Sequence, residues 1–117
     1  MTKNANDSLR GYTNVNNVYN YAGNMVISDG VRALCEQFEC YWFIDIVASY
    51  QVALRKEKEK FQVWHLQRYD DNSALVECTD GGERKIRNQV IESTDFKPRE
   101  ATVWVQNNLI CLPSEED

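Results

Sequence analysis

YWFIDIVASYQVAL, residues 41–54, decides the fold. Drawn as a helix, the run is apolar or aromatic almost all the way round, and a helix with no wet face belongs in a core. Asp45 is the one carboxylate inside it. Asp45 and Ser49 interrupt the apolar stretch, which is shorter than the ~20 residues needed to cross a bilayer, so the run belongs inside a protein and predicts no membrane partner.

Upstream, Ser28-Asp29-Gly30 offers a helix start, because a Ser or Asp oxygen can accept from the unpaired amides of a first turn. Val31, Leu34, Cys35 and Phe38 follow at i, i+3, i+4 and i+7, one apolar stripe with Arg32, Glu36 and Glu39 outside it. The pattern turns from one-sided to all-round apolar near Glu39 and Cys40, which predicts a break between a surface helix and a buried one. Residues 1–24 are rich in Asn, with Tyr12, Tyr19 and Tyr21 interleaved. They read as an irregular arm, mobile over its first ten or so residues and pinned by the tyrosines. Residues 25–117 read as a single domain.

Downstream, the run RKEKEK at 55–60 marks a solvated last turn, its cations suited to the helix C-terminus. The period then shortens to two. FQVWHLQRY, SALVECT and RKIRNQVI read as strands joined by turns at Asp70-Asp71-Asn72 and Asp80-Gly81-Gly82. After STDFKPRE, where Pro98 cannot donate to a ladder, TVWVQ and LICL read as a hairpin across a type I′ turn at Asn107-Asn108. The expected fold is α+β and two-layered: a helix pair, its second helix buried, packed on an antiparallel meander of about five strands. Ala74, Val76, Cys78, Ile86, Val90, Val103 and Val105 are the expected inner face. Trp64 and Trp104 alternate with Val63 and Val103, which places one or both on the outer face.

The 117 residues suit one domain, and 43% hydrophobic with 26% charged residues suits a packed one. A net charge of -5 disfavours direct binding to nucleic acid, which draws on Lys and Arg. Part of the acid lies in the tail, Glu115, Glu116 and Asp117. Cys35, Cys40, Cys78 and Cys111 form no C-x-x-C pair and His65 is the only histidine, so no metal site is expected. The N-terminus MTKNANDSLRG lacks an apolar core segment, which points to a cytoplasmic chain with free thiols.

Asp45 is the sharpest chemical candidate, since a carboxylate in an apolar helix has either a raised pKa or hydrogen-bond donors. It could serve a small-molecule-binding or hydrolytic pocket between helix and sheet. The reading favoured is structural, with Ser49, an indole or loop amides as donors. His65 alternates with Trp64 and Leu66, which points it to solvent. No serine elbow, calcium loop or phosphate-cradling glycine motif is present, so no catalytic residue and no cofactor are assigned. Thr94-Asp95-Phe96 reads as a capped turn with Phe96 anchored in the core.

SDGVRAL, YWFIDIVASYQ, FQVWHLQ, Glu92 to Phe96 and LICLPSEED together resemble a small uncharacterised family, a domain of unknown function found in bacteria, their phages and mobile elements. The resemblance runs from about residue 10 to the C-terminus and departs at QFEC and RKIRNQ. It implies, by association, an accessory role such as blocking a host defence complex of the CRISPR type. The expected function is therefore non-enzymatic binding of a host or defence protein, through Trp64, Trp104, Tyr69 and the acidic turns, with Asp45 as a further candidate. A homodimer through an edge strand such as LICL is the structural alternative.

Overall fold

The computed structural model describes residues 4–116. In chain order they form a 3-10 turn (Ala5–Leu9), β1 (Val18–Tyr21), a short 3-10 turn, β2 (Met25–Ser28), α1 (Asp29–Phe38), α2 (Tyr41–Ser49) and α3 (Gln51–Lys56). Then come β3 (Phe61–Arg68), β4 (Ala74–Thr79), β5 (Lys85–Ile91), β6 (Glu100–Gln106), β7 (Leu109–Cys111) and a last 3-10 turn (Pro113–Glu115). The fold is mixed α and β, as expected, but the sheet has seven strands in the order β1-β2-β7-β6-β3-β4-β5. The five-strand meander is therefore corrected in count and layout. Only β3, β4 and β5 run as a meander; β6 pairs with the far side of β3, and β7 joins β6 to β2, pairing with β2 in parallel.

That order depends on the connection 92–99, which returns from the β5 edge past the β3–β4 turn. Thr94 N–H donates to Asn72 O at 2.8 Å and Arg68 N–H to Arg99 O at 2.8 Å. Phe96 anchors the connection in the core, edge-on to Phe38 and Trp42, while Thr94 accepts from the Phe96 amide without forming a helical turn.

The helix start at Ser28 is as expected: its hydroxyl accepts from Val31 N–H at 3.1 Å. The break after α1 falls at Glu39, whose φ of 54° is left-handed. The apolar run is two helices, not one, breaking at Tyr50. α2 buries Phe43, Ile44, Val47 and Ala48, each larger side chain contributing about 1.5–3 kcal/mol of burial. It nonetheless keeps a wet edge, with Tyr41, Asp45 and Ser49 exposed at every fourth position. The sheet lies under one side of α2 only, so an all-round apolar sequence does not become an all-round buried helix.

The arm is more ordered than its composition predicts. Residues 1–3 lie outside the described residues, but Ala5 and Leu9 are buried and β1 pairs with β2. Asn6 acts as a surrogate strand where β7 ends. Its Nδ2 donates to Thr102 O at 2.9 Å and its Oδ1 accepts Thr102 N–H at 2.7 Å. LICL is likewise not an edge: β7 lies between β2 and β6, which removes it as a dimer seam. The turn before it has one left-handed residue, Asn107, rather than the two of a type I′ turn.

Core packing follows period two except at β5. Ala74, Val76, Cys78, Val103 and Val105 are buried as expected. Val90 instead pairs with Leu75 on the opposite face and is 68% exposed, and a register shift at Cys78/Thr79 leaves Ile86 half-buried. A buried polar bridge ties α3 to β3. Gln51 and Gln62 exchange amide hydrogen bonds at 2.9 and 3.0 Å, and Gln62 Oε1 also accepts the Trp64 indole N–H at 2.8 Å.

Candidate interaction face

Burial alternates along β3, β4 and β6 between fully buried and half-buried side chains. The buried set faces the helices, where Tyr50 packs on Trp64 at 5.6 Å. The half-buried set forms the other face of the sheet, as in an antiparallel sheet wet on one side. Cross-strand register arranges it in rows. Val63 sits between Trp104 and Thr79, His65 between Thr102 and Glu77, and Leu75 between Gln67 and Val90.

The first row carries an aromatic pair. Phe61 and Trp104 meet edge-to-face at 5.4 Å, and Phe61 is 37% exposed. Gly81, at φ +93°, brings the β4–β5 turn so close that a Cβ there would lie 2.8 Å from the Phe61 ring. Phe61 is thus held between Trp104 and a backbone turn. A ring fixed in this way loses little freedom when a partner covers it.

The middle row is polar. His65 sits on this face, as its alternation with the buried Trp64 and Leu66 requires. Its Nε2 is 3.0 Å from Glu100 Oε1 and its Nδ1 is 2.9 Å from the Thr102 hydroxyl. Glu77 faces Lys85 at 3.4 Å. A hydroxyl, an imidazole and a carboxylate in line are the ingredients of nucleophile activation. Thr102's own N–H, the type of donor that holds an oxyanion in such systems, is taken by Asn6. The three side chains orient one another across β3 and β6, and the Thr102 N–H is already bonded.

The four residues singled out from sequence do not converge. Trp104 lies on the open face. Trp64 is fully buried in the opposite layer, its indole satisfied by Gln62, so it offers nothing to a partner. Tyr69 is 41% exposed at the β3–β4 turn, roughly 26 Å along the strand from Phe61 at 3.3 Å per residue. Asp45 is on the helical side and exposed rather than enclosed; it accepts the Tyr21 hydroxyl, and Tyr21 stacks on Tyr41 at 6.4 Å. Burial first, and the Asp45 carboxylate second, push the Tyr21 hydroxyl above its ordinary pKa. Ser49, an expected donor to Asp45, bonds Ile46 O instead. Asp45 lines none of the concavities formed around Lys58, Asn6, Lys97 and Arg32.

A family of unknown function, DUF6876, matches residues 3–116. The chain belongs to this family. No curated protein and no solved structure matches it. The DUF6876 match spans both layers of the fold, so the open face and the helices that back it lie within the family's extent.

Phe61, Val63, Leu75 and Val90 were not assigned as site residues from sequence. For two of them the signal is in the sequence: Val63 and Leu75 alternate with fully buried neighbours, and an apolar residue out of phase with the core is on the other face.

Proposed function

We propose that this chain is a non-enzymatic binding protein whose open sheet face engages a partner protein, in an accessory role that blocks a bacterial defence complex. The observation that carries the binding reading is the Phe61–Trp104 pair, held edge-to-face on a sheet face that the helices leave uncovered. Aromatic residues with a polar surround are typical of protein interfaces. The polar rows contribute Glu77 and Glu100, and the chain carries a net charge of -5. The partner surface that fits is therefore a protein face with an apolar centre and a basic rim, the charges steering the encounter. Among the described residues no helix is long and apolar enough to cross a membrane. The defence role rests on the resemblance to proteins of phages and mobile elements, and its chemistry agrees with a basic, nucleic-acid-handling target.

The test is co-purification of the tagged chain with the subunits of CRISPR-type effector complexes expressed in the same cells. Recovery of an effector with the native chain, lost with Trp104→Arg or Phe61→Arg at unchanged thermal midpoint, supports the reading. Equal recovery with both variants, or recovery of no effector subunit, rejects it.

A further inference from the structure

A second surface, at the far end of α3, gathers several cations around one hollow. Arg55, Lys58, Glu59 and Lys60 line a concavity of about 330 Å³ together with Asn107 and Asn108 of the β6–β7 turn. Asn107 N–H donates to Lys60 O at 2.9 Å, which ties the two walls together.

Of the other described cations, Arg10, Arg32, Arg84, Lys85, Arg87 and Arg99 each meet a carboxylate, while Lys56, Arg68 and Lys97 do not. Among the described residues no carboxylate lies within ion-pair distance of Arg55, Lys58 or Lys60. The concavity's own acid, Glu59, is spent: Arg84 takes its two oxygens at 2.6 and 2.8 Å. Arg55 is braced at the rim by donation to Gly23 O at 2.7 Å and a 3.2 Å contact with Met25 Sδ. Three uncompensated positive charges thus converge on one hollow in a chain of net charge -5. Such a focus of one sign in a concave wall attracts a counter-charged ligand.

Shape and chemistry narrow the ligand. The volume is at the lower end of small-molecule sites, ~300–1,000 Å³. A nucleic-acid strand, which draws on many cations along its track, would meet a chain of net charge -5. The Arg and Lys heads suit a phosphate. The exposed Asn107 and Asn108 carry amides of the type that reads an adenine edge through paired donor and acceptor.

We propose that this hollow binds a nucleoside monophosphate, the phosphate held by Arg55, Lys58 and Lys60 and the base edge met by Asn107 and Asn108. The site is independent of the open sheet face. An amide NMR titration of the full chain with AMP tests it, with inorganic phosphate and adenosine as separate arms. The expected result is saturable shifts at residues 58–60 and 107–108 with a Kd on the order of millimolar or tighter, and weaker binding of either fragment alone. Lys58→Glu with Lys60→Glu should weaken AMP binding by about tenfold or more, and added salt should weaken it too. Both lysines are exposed and, among the described residues, meet no carboxylate, so the thermal midpoint should hold; if it falls, Lys60→Gln alone repeats the measurement. No saturable shift with AMP, equal affinity for phosphate alone, or undiminished binding by the lysine variants overturns the proposal.

Discussion

The Ser28 hydroxyl donates to Glu115 at 2.5 Å inside the protein, so the last turn of the chain closes over the first turn of α1. The same carboxylate accepts Gly30 N–H at 3.1 Å and Leu112 N–H at 2.8 Å. Ser28 in turn caps Val31, which makes one chain of bonds from the C-terminal turn into the helix. A residue that reads as acidic tail is therefore the buried carboxylate of this fold, 4% exposed, and Asp45 is not.

Glu115→Gln should destabilise the protein by about 1–3 kcal/mol, because an amide cannot accept three bonds with both its atoms and turns a donor toward another donor. Urea unfolding with an unchanged slope would show it. Glu115→Gln at native stability would mean that this bond network contributes little.

Gly30→Ala should also destabilise, against the helix propensity gain of roughly 1 kcal/mol. An added Cβ would lie 2.7 Å from the Glu115 carboxylate carbon and from Leu112 Cδ1. Moving either disrupts buried, bonded atoms, and overpacking of this kind costs about 1–3 kcal/mol. A net gain in the urea midpoint would contradict the closeness of that contact.

The Gln51–Gln62–Trp64 bridge should behave as a unit. Gln62→Leu leaves the Trp64 indole N–H and Gln51 Oε1 without partners, at about 1–3 kcal/mol for each stranded group, while Gln51 Nε2 keeps its bond to Val47 O. Adding Gln51→Leu should then cost less than its own single effect, since its partner is already gone. Strict additivity in the double-mutant cycle would show that the bonds are not coupled.

Alkaline pH should weaken the fold through Tyr21. Its hydroxyl holds its proton more tightly folded than unfolded, so its contribution is complete below the ordinary tyrosine value of about 10 and is lost as pH rises above it. Tyrosinate absorbance should show Tyr21 ionising late among the six tyrosines. Asp45→Ala should bring it earlier but leave the part due to burial. An unmoved titration in that variant would separate the two groups.

The thiols should be inert in the native state. Burial pushes Cys78 and Cys111 up to about 12, the neighbouring Cys40 first and burial second raise Cys35, and all four cysteines are buried. Alkylation should therefore follow unfolding, with all four labelled only in denaturant. Rapid native labelling of Cys78 would contradict the packing of β4.

Much of the architecture is legible where one periodicity dominates. The stripe Val31, Leu34, Cys35 and Phe38, the Ser28 start and the alternation of SALVECT all translate directly into structure. β1 and β2 do not, because VYNY is Asn-interrupted and becomes a strand only by pairing with MVIS. Strand order is not local information either: it follows from where Phe96 anchors the returning chain. Glu115 did leave a trace, since L-P-S-E places proline at the start of a turn and glutamate three residues after its cap. The open face was half legible: Trp104 and its alternation were visible, but Phe61 acquires its place only through Trp104 and Gly81.

The most direct test of a defence-blocking sheet face is plating efficiency of a CRISPR-targeted phage on hosts expressing this chain, Trp104→Arg, or Val52→Arg, a change at an exposed helix position away from the sheet. The native chain and Val52→Arg should protect the phage, and Trp104→Arg should lose that protection at an unchanged thermal midpoint. Protection by Trp104→Arg equal to the native chain, or no protection by the native chain, would contradict it.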